Sequence, residues 1–187
     1  MTWSGVQPSG EEELVQRARL GDEAAFSALV RGQQSTVFTL AYRLVGNRDL
    51  ASDVAQESFI RAWKAMPNFR GDAKFSTWMH RITVNTAWTW RERAMRKATL
   101  PIDDDFDIAD SRLLTPEAEG ERAEIRARIG ALVGALPASL RSVIVLKDVY
   151  GWSHQEIAES LGITVAAAKV RLHRGRARLR RGLVDEV

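Results

Sequence analysis

Between Ala166 and Gly182 the chain carries seven basic side chains, Lys169, Arg171, Arg174, Arg176, Arg178, Arg180 and Arg181, and no acid. Guanidinium and ammonium groups at this density neutralise phosphates and hydrogen-bond guanine edges, so the chemistry on offer is nucleic-acid binding. The competing reading is a solvated basic face. A second stretch, Asn68 to Lys97, interleaves rings with cations: Phe69, Phe75, Trp78, Trp88 and Trp90 among Arg70, Lys74, Arg81, Arg91, Arg93, Arg96 and Lys97. Aromatic faces stack unpaired bases while arginines follow the backbone, a composition suited to single-stranded DNA or to a base flipped from a duplex. Phe75, Trp78 and Ile82 fall at helical spacing and are expected in a core, whereas Trp88 and Trp90 stand at a basic helix end. Asn85, one turn before Trp88, has an amide able to hydrogen-bond a base edge or to face solvent. A third cluster is polar. Asp53, Gln56 and Glu57, at i, i+3 and i+4, share one helix face, which spacing alone reads as solvated surface.

Other chemistries lack their residues. The chain has no cysteine, which excludes disulfides, thiolate metal sites and a catalytic thiol. The three histidines, His80, His154 and His173, do not form a metal-binding set. No P-loop and no convincing nucleophile–base pair is present, so neither an enzyme nor a bound cofactor is expected. No apolar run approaches the ~20 residues that cross a bilayer, and the first residues lack the pattern of a signal peptide. The expectation is a cytoplasmic protein with no membrane insertion.

The elements that must position these groups read as helical almost throughout. Apolar residues recur at helical intervals from Leu14 to Leu29, from Val37 to Val45 and on to Trp63. Punctuation falls at Gly21-Asp22, Gly46-Asn47 and Pro67. Composition then shifts. Pro101 to Glu124 holds nine acids against two arginines, with no apolar period, and reads as a tether. A second helical block follows. In "SHQEIAESLG", Ser153 and Glu156 form a capping box, each side chain satisfying a free backbone amide at a helix start. Gly162 ends that helix, and Thr164 can cap the next. Ile157, Ala158 and Leu161 on one helix and Val165, Ala168 and Leu172 on the other supply a small shared core. Two short helices joined at a tight glycine turn, the second basic, make a helix-turn-helix. Its outward side carries Lys169, Val170, His173 and Arg174, with Arg171 near the edge. The fold expected is all-α: two small helical domains, residues 10–98 and 118–183, joined by a flexible acidic linker at 99–117.

Three runs in series, covering nearly the whole chain, resemble the extracytoplasmic-function sigma factors of the bacterial sigma-70 family. "DVAQESFIRAW" looks like region 2.2, "FRGDAKFSTWMHRITVNTA" like regions 2.3 to 2.4, and the stretch from Leu136 to Arg180 like region 4. The resemblance implies a specificity factor for transcription initiation. Asp53, Gln56 and Glu57 would bind the beta-prime clamp helices of core RNA polymerase. Asn68, Phe69, Arg70 and Asn85 would capture a flipped base of the promoter element near −10, with Trp88 lying along the DNA there. Lys169, Val170, Arg171, His173 and Arg174 would read the element near −35. The beta flap would be a second polymerase contact, the acidic linker would thread the polymerase cleft, and an anti-sigma factor would be a further partner. The chain departs from the family at the start of the recognition helix. A Gly-Thr-Val-x-Ser-Arg run is frequent there, and this chain has Ala166, Ala167 and Val170 in place of Gly, Thr and Ser. "NTAWTW" is also richer in tryptophan than usual. A stand-alone helix-turn-helix regulator would explain the second half of the chain but leave the aromatic-basic first half without a role.

Overall fold

The computed structural model describes residues 10–97 and 121–184; the tether expected at 99–117 lies outside them. Four helices form the first half: α1 (Gly10–Arg19), α2 (Glu23–Val45), α3 (Arg48–Ala65) and α4 (Phe75–Lys97). Four more follow: α5 (Glu121–Gly134), α6 (Ala138–Ile144), α7 (His154–Leu161) and α8 (Val165–Val184). Among the described residues there is no strand.

The boundaries sit where side chains can satisfy the open backbone groups of helix ends. Asp22 caps α2, its carboxylate accepting from the Ala25 amide at 3.0 Å. Gly46 closes α2 with φ of 75°, a left-handed conformation that favours glycine. Asn47 then caps α3, accepting from the Leu50 amide at 2.9 Å. Pro67 falls in a single 3-10 turn, Met66–Asn68, that ends α3. The helix that starts at Ala138 is α-helical only to Ile144 and continues as one wider π turn, Val145–Val149.

Two apolar clusters hold these elements. One lies within the first half and contains Phe26, Val37, Met66, Phe69, Phe75 and Met79, with Trp63, Trp78 and Ile82 packed against it at half burial. The other is continuous between the halves. Leu40, Leu44, Val84 and Ala87 from α2 and α4 share it with Leu136, Val143, Trp152, Ile157 and Leu172. The two halves therefore meet along a seam, α2 touching α6 and α4 touching α7.

Candidate nucleic-acid interface

The helix-turn-helix is built as its sequence signals require. The Ser153 hydroxyl accepts from the Glu156 amide at 3.1 Å, and the Glu156 carboxylate accepts from the Ser153 amide at 2.9 Å. Those contacts, led by the Ser153 amide and joined by Arg81, hold the Glu156 carboxyl below the usual carboxylate range. Gly162 turns the chain with φ of 62°. The Thr164 hydroxyl then accepts from the Ala167 amide at 3.1 Å, capping α8. Ile157, Ala158, Leu161, Ala168 and Leu172 are buried between the two helices, and Val165 is half-buried at their edge.

Burying Ala168 and Leu172 turns the opposite side of α8 to solvent. Lys169, Val170, His173 and Arg174 are all exposed, and Arg171 is half-buried at the boundary of that face. Further along, Arg176 is tied to Asp148 of the π turn, with Nε 3.1 Å from the carboxylate. That pair orients α8 on its own half rather than leaving Arg176 free for a ligand.

In the first half, Asp53 and Gln56 are exposed on α3 and Glu57 is half-exposed beside them, bonded to Arg61 at 2.9 Å. Their face lies away from buried Ala51, Val54 and Ala62. The loop before α4 separates its three candidates. Asn68 and Arg70 are exposed, Arg70 making only a solvent-facing ion pair with Asp72 at 3.3 Å. Phe69 between them is buried, its ring centroid 4.7 Å from that of Trp78 and 6.4 Å from that of Phe75. Its ring anchors the loop from below and offers no face to a base. Asn85 is exposed on α4. Trp88 is half-buried against the shared cluster, and the Arg91 guanidinium lies 5.0 Å from its ring centroid, a cation–π contact. Part of the Trp88 ring is therefore already covered.

The seam contains contacts that sequence reasoning did not reach. Arg81, one turn before Asn85, reaches Glu156 of α7 at 2.8 Å. Arg43 donates to the Tyr150 hydroxyl at 3.5 Å, and the His80 ring meets Tyr150 edge-on at 5.1 Å. Burial keeps His80 below the usual histidine range and pushes the Tyr150 hydroxyl up, the latter opposed by Arg43. Among the described residues Arg141 is the deepest charge, only 6% exposed. It donates to the Gly134 carbonyl at 2.8 Å and the Val45 carbonyl at 3.5 Å, the last residues of α5 and α2. Two helix carboxyl ends present partial negative charge to it in place of a carboxylate. Its one sequence signal is position: Arg141 stands three and four residues before buried Ile144 and Val145, on the apolar stripe of α6.

Among the described residues no cluster of histidine, cysteine or acid residues could hold a metal ion, and no helix is long and apolar enough to cross a membrane. The Sigma-70 region 2 family model matches residues 29–97, and the Sigma-70 region 4 model matches residues 126–179. RNA polymerase sigma-H factor of Pseudomonas aeruginosa is 33% identical over 183 residues, covering 92% of this chain and 93% of its own. ECF RNA polymerase sigma-E factor of Escherichia coli K12 is 34% identical, covering 89% of this chain and 90% of its own. The chain belongs to the ECF family of RNA polymerase sigma factors. The fold agrees. CnrH, solved in complex with the cytosolic domain of CnrY, superposes with a TM-score of 0.60 at 27% identity, covering 96% of this chain and 100% of that one. RpoE of Bartonella quintana, solved with the anti-sigma factor NepR, gives 0.64 over 84% of this chain and 96% of its own, at 22% identity. The sigma factor directs promoter-specific initiation by RNA polymerase, and a stand-alone regulator is not favoured.

Proposed function

We propose that the sigma factor divides its promoter between two halves, residues 10–98 for the −10 element and 118–183 for the −35 element. The observation that carries this reading is the outward face of α8, where Lys169, Val170, His173 and Arg174 are exposed while the opposite side is fixed in a core. In this reading α8 enters the major groove and positions the complex on duplex DNA. Asn68, Arg70 and Asn85 border the site for a flipped base, with Phe69 as the buried support of that loop. The exposed part of Trp88 lies along the strand. Melting costs a few kcal/mol, and stacking worth ~1–3 kcal/mol per base helps to offset it. Asp53, Gln56 and Glu57 dock on the beta-prime clamp helices and region 4 contacts the beta flap, in the cytoplasm. The protein contributes binding energy and no catalysis of its own. The cytosolic domain of CnrY bound to CnrH supports a second protein as a partner of this chain, which we read as an anti-sigma factor that regulates it.

Elements near −10 and −35 lie about 25 base pairs apart, roughly 85 Å along B-DNA. A compact chain of this length has a radius of gyration of only about 16 Å. The seam must therefore open when both elements are engaged. Opening it breaks the Arg81–Glu156 pair, whose side chains are 50% and 37% exposed and which contributes little. The larger cost is exposure of the apolar cluster the halves share, which contacts with polymerase and promoter must offset.

The test is run-off transcription from fragmented genomic DNA of the source organism, using core polymerase with and without the protein. Discrete new transcripts support the reading, and their start sites reveal both elements. No new transcripts, together with specific DNA binding by the protein alone, would overturn it.

A further inference from the structure

We propose that Val170, with Ala166 one turn before it, reads the C5-methyl group of thymine in the −35 element. The inference rests on α8 being the −35 reader and adds what its central position recognises. At 100° per residue, Val170 stands about 200° from both Ala168 and Leu172, which with Gly175 are the buried residues of α8. It is therefore at the apex of the outward face, and its side chain is 49% exposed. Ala166 is exposed beside it. Residues in the first turns of a recognition helix reach base edges, so this apex is the part that goes deepest.

The apex has no hydrogen-bonding side chain. Val170 and Ala166 have none to offer; the nearest hydroxyl, that of Thr164, lies outside the apex at the helix start, where it accepts from the Ala167 amide. Lys169, His173 and Arg174 surround the apex with donors. An apolar side chain pressed on a guanine or adenine edge would strip water from acceptors and return no partner. The one apolar group on the major-groove edge of an unmodified base pair is the thymine methyl. Valine suits that contact, because its β-branched side chain is confined to few rotamers and loses little freedom on docking. A basic frame around a stiff apolar centre selects an element with thymine under Val170 and acceptor-bearing bases or phosphates around it.

The experiment uses holoenzyme formed from core polymerase and the full chain, on a promoter fragment defined by its start site. Each thymine of the −35 element is replaced in turn by deoxyuridine, which keeps the pairing and the O4 acceptor and removes only the methyl. The change is made in the DNA, so protein folding is not at issue. At one position the wild-type holoenzyme should bind about fourfold more weakly, the equivalent of one buried methyl. With Val170→Ala the same replacement should alter binding by less than about twofold. Three results would overturn the proposal: no thymine in the element, no loss from any deoxyuridine, or an undiminished loss with Val170→Ala. Transversion of the whole −35 element is the control. If it leaves wild-type binding unchanged, α8 is not the −35 reader and both readings fall; if it weakens binding while deoxyuridine does not, only the methyl assignment falls.

Discussion

Gly175 and Gly182 lie on the same helix, and adding one methyl to each should move stability in opposite directions. A Cβ at Gly175 would lie 2.8 Å from Ile144 Cγ1, 3.2 Å from Cδ1 and 3.6 Å from Leu140 Cβ. Carbon atoms in contact prefer about 3.5–4.0 Å. Ile144 is only 3% exposed, and its Cγ1 is bonded directly to a branched Cβ, so it yields only if α6 moves or χ1 leaves its preferred well. Overpacking of this kind costs about 1–3 kcal/mol. Alanine in place of a helical glycine returns roughly 1 kcal/mol. For an overlap this deep the balance is a loss of about 1–2 kcal/mol, or a fall of roughly 2–8 °C in melting temperature for a chain of this size. A Cβ at Gly182 would meet Leu132 Cδ2 at 2.6 Å and other atoms at 3.8 Å. That single close atom is the terminal methyl of a half-buried leucine, which a χ2 rotation removes, so Gly182→Ala should be neutral or stabilising by up to about 1 kcal/mol. Thermal and urea unfolding followed by far-ultraviolet circular dichroism measures both. A double-mutant cycle isolates the cause: Ile144→Ala should cost about 2–5 kcal/mol alone and at least ~1 kcal/mol less in the Gly175→Ala background. Equal effects of the two glycine variants, or a Gly175→Ala protein as stable as wild type, would refute the reasoning.

The capping box should give a pH signature. Because the Glu156 carboxyl is held below the usual range in the folded chain, chiefly by the Ser153 amide, its charge stabilises at pH above the unfolded value. That contribution is lost as pH falls through the folded one. The melting-temperature gap between wild type and Glu156→Gln should be widest near neutrality and close below about pH 4; a gap that does not change with pH would argue against this. Two exposed residues separate the functional halves. Asn85→Ala should weaken promoter opening while core binding survives, and an unchanged permanganate footprint would remove Asn85 from the site. Arg174→Ala should weaken promoter binding by about 5- to 150-fold with little effect on core affinity; unaltered filter binding would show the reading face to be wrongly assigned.

The sequence by itself determined the all-helical fold, the helix boundaries at Asp22, Gly46, Asn47 and Gly162, the capping box at Ser153 and Glu156, and the solvent-facing side of α8. These are local matters. Caps act within three or four residues of chain, and a 3.6-residue period states which side of a helix is buried. Tertiary structure decided the rest. Phe69 and Trp88 have the composition of stacking residues, yet one ring lies inside a core and the other half under Arg91, because burial depends on what other helices bring to the same place. Arg141 and the Arg43–Tyr150 and Arg81–Glu156 pairs were out of reach for the same reason. The hydrogen bonds between the halves join residues 75 to 107 positions apart, and neither member of such a pair carries a mark of the other until the chain folds.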